Sequence, residues 1–145
     1  MRAAIDRTRR GLLGAAAGIA LAYALPLSAQ GQDSAAVQSA AREWLALTDR
    51  LDGAASWKAA GAKFRSASPV DHWSKALNQV RGPLGALDAR AVDSTRFAKS
   101  FPGFPDGDYA VVVFRTSFAQ RAVARETITV EREEGVWRVV GYLIA

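Results

Sequence analysis

Apolar positions recur every three to four residues in the first half of the chain and every two in the second, with the change of period near Leu87. Val37, Ala41, Trp44, Leu45, Thr48 and Leu51 fall on one helical stripe, with Gln38, Arg42, Glu43 and Asp49 off it. The spacing predicts a helix capped by Asp33 or Ser34 and stopped by Gly53. A second, shorter helix over 54–64 places Trp57, Gly61 and Phe64 on one side, where Gly61 permits close packing. Ser68-Pro69-Val70-Asp71 opens a third: Ser as cap, Pro at the first helical position, and an acid facing the unpaired amides. Trp73, Leu77 and Val80 form its stripe, and Gly82-Pro83 ends it, because proline disfavours helical geometry at the residue before it.

Period two then predicts strands at about 87–97, 108–118, 122–133 and 136–143. Between the first two, Pro102, Gly103, Pro105 and Gly107 interrupt both helix and ladder and demand a turn. Residues 119–121 and 134–135 are hairpin-sized, so the strands form an antiparallel meander. Three apolar helix stripes and one apolar sheet face leave water only by packing together. The expected fold class is therefore α+β: three N-terminal helices packed on a curved four-stranded antiparallel sheet.

In the third strand Ala124, Ile128 and Val130 face the core, while Arg125, Thr127, Thr129 and Glu131 face solvent. Glu126 breaks the pattern. A buried carboxylate requires a cation or a set of hydrogen bonds, and Arg81 and Arg90 are the candidate partners. The second strand is apolar on both sides, which fits a fully buried central strand, or else a homodimer or partner surface across the sheet.

Charge changes the picture only at the N-terminus. Arg2, Arg7, Arg9 and Arg10 precede an apolar run ending near Pro26, with small residues at Ser28 and Ala29, which predicts a signal peptide over 1–29. The run is short for a bilayer span of about 20 residues, so no stable membrane anchor is expected after cleavage. The paired arginines and following Gly-Leu-Leu suit twin-arginine export as well as the general secretory route. Residues 30–33 then read as a leader and 34–145 as a single domain, exported to the periplasm or beyond. Cleavage removes four of the 19 basic residues and one of the 14 acidic ones, and the formal charge falls from +5 to +2. Nothing then marks a nucleic-acid face. No cysteine and one histidine leave no thiolate chemistry, disulfides or metal-ligand cluster, and no cofactor is expected.

His72 beside Asp71 resembles a dyad in sequence only, since adjacent helical residues point about 100° apart; a solvated position is expected. Glu126 is the stronger candidate, either in an ion pair fixing the third helix to the sheet or lining a cavity with Arg81, Arg90, Trp73, Phe114 and Phe118. Phe101, Phe104 and Tyr109 give the Pro/Gly turn an aromatic rim, either a contact surface or a patch folded back on the sheet.

Asp49, Ser56-Trp57, Phe64, Trp73, the run from Val80 to Gly85, Arg90, Pro102-Gly103, Pro105-Asp106-Gly107, Tyr109, Ser117-Phe118, Glu126-Thr127, Val136-Trp137-Arg138 and Gly141-Tyr142 follow one another in an order that resembles the bacterial family known as domain of unknown function 4019. The resemblance covers nearly all of the chain after residue 29. It implies a small exported domain with the cone-shaped fold of the nuclear-transport-factor-2-like and cystatin-like group, and implies no activity. The functional expectation is a non-enzymatic module binding a small apolar or amphipathic ligand or a protein partner. The alternative is a small isomerase or hydratase using Glu126, then His72, as acid/base.

Overall fold

A computed structural model describes residues 29–145. The expected export signal falls, but for Ala29, outside the described residues. The chain forms α1 (Ala29–Asp49), α2 (Gly53–Ala59), α3 (Ala62–Ala67), α4 (Val70–Arg81), a 3-10 turn (Gly82–Leu84), β1 (Leu87–Ala98), β2 (Tyr109–Phe118), β3 (Arg121–Glu133) and β4 (Val136–Ile144). The strands pair in the order β1-β2-β3-β4, all antiparallel. The helices lie on one face, where Val37, Ala41, Trp44 and Leu45 pack with Ala110, Val112, Phe114, Ile128, Val130 and Val139. Burying each large side chain among them contributes about 1.5–3 kcal/mol. The fold is α+β, as the change of period requires.

The helical half departs from its sequence reading in detail. Helix α1 is already formed at Ala29, and Asp33 bonds Arg132 on β3 (2.9 Å) instead of capping it. The helix ends at Asp49, short of Gly53. Asp52 N donates to Leu47 O (3.0 Å) and Leu51 N to Thr48 O (2.9 Å), a Schellman closure with Leu51 at φ 57° where glycine is usual. Leu51 is therefore outside the stripe.

The expected second helix is two helices. Ala60 and Gly61 are extended, and Gly61 N donates to Val139 O (2.7 Å), so the chain docks on the β4 edge before turning again. A Cβ on Gly61 would lie 3.0 Å from Val140 Cγ1. The close packing expected of Gly61 is thus against the sheet. Helix α4 starts one residue later than read, with Pro69 at its cap position and no side-chain cap bond. Its stripe runs from Leu77 to Arg81, one turn on, and leaves Val80 55% exposed.

Two expectations for the sheet fail. Val111 and Val113 are only half-buried, so β2 is not the fully covered central strand its composition suggests; the helices cover one face alone. Glu131, expected in solvent, is buried because Lys63 Nζ donates to both of its oxygens (2.6 and 2.7 Å). Register shifts at Val92/Ser94 and Thr129/Val130 mark bulges, which bend strands and sharpen their twist.

Candidate functional site

Register assembles the site. Phe114 on β2 lies opposite Glu126 on β3, which lies opposite Ile144 on β4, and Arg90 on β1 lies opposite Thr116. Glu126 is completely buried. Its Oε1 accepts from Arg90 Nε (2.8 Å) and Thr116 Oγ1 (2.7 Å), and its Oε2 from the Tyr142 hydroxyl (2.6 Å). Arg90 turns its other two nitrogens to Asp49 in a bidentate pair, Nη1 to Oδ2 at 2.8 Å and Nη2 to Oδ1 at 2.9 Å. Arg81 then reaches Asp49 Oδ1 with Nη2 (3.2 Å), donates Nη1 to Gly85 O (2.5 Å) and lies 4.2 Å over the Phe118 ring.

Two carboxylates and two guanidiniums thus form one chain of ion pairs joining the end of α1, the end of α4, β1 and β3. Of the two partners expected for Glu126, Arg90 is the direct one; Arg81 bonds Asp49 and is linked to Glu126 only through Asp49 and Arg90 in turn. Asp49 is the member the stripe analysis set aside. It stands one turn beyond Leu45, at the margin of the apolar face, and that spacing was the signal available.

The remaining candidates are filled positions. Phe114 and Phe118 are fully buried, Phe114 with Arg42 5.2 Å over its ring. Trp73 donates Nε1 to Ser56 Oγ (2.9 Å) and packs with Trp44, Phe64 and Tyr142 in an aromatic cluster, so it fills space where a cavity lining was considered. His72 is exposed, its Nδ1 3.4 Å from Ser68 Oγ, and Asp71 does not orient it.

The Pro/Gly turn folds back on the sheet. Phe104 N donates to Phe101 O (3.0 Å) across Pro102 and Gly103, with Gly103 at φ 84°, the geometry of a type II turn. Phe104 stacks on Tyr109 with ring centres 6.0 Å apart, and Phe101 lies 6.0 Å from the same ring. Tyr109 is 1% exposed and donates its hydroxyl to Pro105 O (2.6 Å). It is a pillar under the turn, which corrects its assignment to an interaction surface; Phe101 and Phe104 remain half-buried.

A groove of about 410 Å³ opens beside this turn, lined by Asp33, Phe97, Lys99, Asp108, Arg132 and Trp137 among others. No sequence expectation pointed to it: Trp137 entered only as part of the family pattern, and its ring is half-buried, with Arg132 4.6 Å over its face and Phe97 6.2 Å away. Its charges are already matched, Arg132 with Asp33 and Lys99 with Asp108. Among the described residues no group of His, Asp and Glu side chains is arranged to hold a metal ion, and no helix is long and apolar enough to cross a membrane.

The electrostatics follow from burial. For Arg90, burial works against the charge, but hydrogen bonds to Asp49 and Glu126 outweigh it and its pKa stands above the ordinary guanidinium value. Burial, then the Glu126 charge, pushes the Tyr142 hydroxyl far above its usual range. Burial raises Tyr109 too, and the bond to Glu131 raises Lys63. Unfolded tyrosine ionises near pH 10. Above that pH the unfolded state sheds a proton that folded Tyr142 retains, so this contribution to stability is complete below about pH 10 and is lost as pH rises. Tyr142→Phe should reduce the alkaline slope of stability, with Lys63 and Tyr109 supplying the remainder. It should also lower stability at pH 7 by about 1–3 kcal/mol, because Glu126 Oε2 loses its donor. Urea midpoints at pH 7 and pH 11 check both; an unchanged slope would exclude Tyr142 as its source.

A family model described as "Protein of unknown function (DUF4019)" matches residues 40–142. No curated protein matches the chain. Among solved structures, the 1.8 Å structure of Aln2 from a Streptomyces species aligns with a TM-score of 0.49 and 16% identity, over 83% of this chain and 92% of that one.

Proposed function

The chain belongs to the family of unknown function DUF4019, and we propose that it is an exported, non-enzymatic binding module that meets a protein partner across the uncovered face of its sheet. One contrast carries this reading. Glu126, the first of the two acid/base candidates, is 0% exposed with both oxygens bonded, whereas Leu143 on the opposite face is 62% exposed. A general acid or base must lie within hydrogen-bond reach of the proton it moves. Three donors and the packed rings of Phe114, Trp73 and Tyr142 leave a substrate no approach to Glu126. A small ligand within the helix–sheet interior meets the same obstacle. Val111 and Val113, half-buried, and Val123, 86% exposed, extend the open face beside Leu143. The Arg/Gly/Leu pattern before the apolar run at the N-terminus supports export.

Cysteine is absent from the chain, so single thiols can report on this face without background. In cells of the native host, Leu143→Cys should be protected from maleimide and should give a discrete adduct with a bifunctional maleimide. Gln79→Cys, on the exposed side of α4, should label freely. An adduct of twice the chain's mass would make the partner a second copy. Equal labelling at both positions, with no adduct, would refute the docking face.

A further inference from the structure

Resting on the outer sheet face as a docking surface, the geometry points to an acidic protein segment as its partner, held by Arg96, Arg115 and Arg125 around an apolar centre. Arg115 on β2 and Arg125 on β3 lie directly opposite each other. Both are exposed, Arg115 with 74% of its side chain in solvent. Like charges directly opposite one another destabilise a sheet, and a face serving solubility alone would place an acid across from an arginine. Asp93 offers Arg115 one contact at 3.2 Å, while Arg125 has no ion-pair partner among the described residues. Arg96 on β1, opposite Val111, adds a third exposed guanidinium on the same face. Glu131, the nearby acid on β3, is committed to Lys63.

Between these cations lie Val111, Val113, Thr127 and Thr129, with Leu143 opposite Thr127. The arrangement is an apolar centre rimmed by planar forks suited to carboxylates, the distribution found at protein interfaces. A lipid surface fits less well. Interfacial membrane binding uses protruding Trp, Phe and Leu on a helix face, whereas this face is a pleated surface of valines and threonines.

The purified full chain can be titrated with three probes: a labelled peptide in which glutamates flank a short leucine run, the same peptide with lysine for glutamate, and phosphatidylglycerol vesicles. The acidic peptide should bind, weaken with added salt, and lose at least about tenfold in affinity in the double variant Arg115→Glu, Arg125→Glu, a loss of two attractive contacts. Arg125→Glu alone should raise Tm by about 1–4 °C, since it turns a repelling cross-strand pair into an attracting one. A variant that both stabilises the fold and loses the partner would identify the arginine pair as retained for binding. Equal binding of the lysine peptide, or affinity unchanged in the double variant, would overturn the acidic assignment. In that case an effect of Leu143→Asp on binding would leave the docking face standing, and no effect would remove it as well. Vesicle binding lost in the double variant, without peptide binding, would overturn the assignment in favour of an anionic lipid surface.

Discussion

Replacing Arg90 by methionine should lower the unfolding free energy by about 3–5 kcal/mol, the loss seen when one partner of a buried ion pair is removed. For a domain of this size that corresponds to a fall in Tm of about 10–20 °C. The reason is what remains. Glu126 keeps the hydroxyls of Thr116 and Tyr142 but loses its countercharge at zero exposure, and Asp49 is left with Arg81 alone. Glu126→Gln should be milder, about 1–2 kcal/mol, because Arg90 retains both bonds to Asp49 and a hydroxyl can reverse to accept from the new amide. The double variant is the decisive measurement. Removing the carboxylate charge together with its cation should leave the protein more stable than Arg90→Met alone, a coupling of at least about 1 kcal/mol. Additive losses would show that Arg90 acts by packing and that charge compensation is not what holds the four elements together.

Much of this network was legible in the sequence, for a definite physical reason. Side chains alternate strictly on a strand, so a single acid in register with Ala124, Ile128 and Val130 must be buried, and a buried acid must have a partner. Arg90 was named as a candidate partner from its place in the first strand, but its position opposite Thr116 needed the register. Strand limits were likewise close, because prolines, glycines and short polar links end ladders abruptly. Asp49 was not legible to the same degree. Three to four residues per turn leave a wide margin at the edge of a helical stripe, and whether a marginal residue faces water or a neighbour depends on what packs there.

The helix ends were misread for a related reason. Gly53 looks like a terminator because glycine favours the left-handed cap, yet Leu51 takes that conformation, and the Schellman bonds from Leu51 and Asp52 hold it there. The Ala60-Gly61 break in the second helix answers to the β4 edge, a long-range contact that local periodicity cannot register. The family resemblance pointed to the network without giving its geometry: Asp49, Arg81, Arg90, Glu126 and Tyr142 all belong to the pattern that carries it. The charged outer face was legible residue by residue, but the opposition of Arg115 and Arg125 needed the register.

Gly53→Ala should destabilise by about 2–3 kcal/mol, in the upper range for inserting a methyl group into a closed contact. The glycine is the first residue of α2, and a Cβ there would lie 2.6 Å from Ser74 Cβ and 2.8 Å from Ser74 Cα on α4. The obstacle includes backbone, so α2 and α4 must separate. Because α4 carries Arg81 at its far end, the displacement also strains the Arg81–Asp49 pair. Gly82→Ala is the matched control. Gly82 has helical angles, φ −53° and ψ −51°, and a Cβ there would meet nothing within 4 Å, so alanine should stabilise by about 0.4–1 kcal/mol by restricting the unfolded chain. Opposite signs for one substitution at two glycines, read from urea denaturation, would establish that Gly53 is required for helix approach. Adding Ser74→Gly should restore only part of the Gly53→Ala loss, since the contact with the Ser74 Cα persists. Full restoration would place the conflict in the serine side chain, and a Gly53→Ala protein as stable as the parent would show that α2 and α4 tolerate a wider spacing.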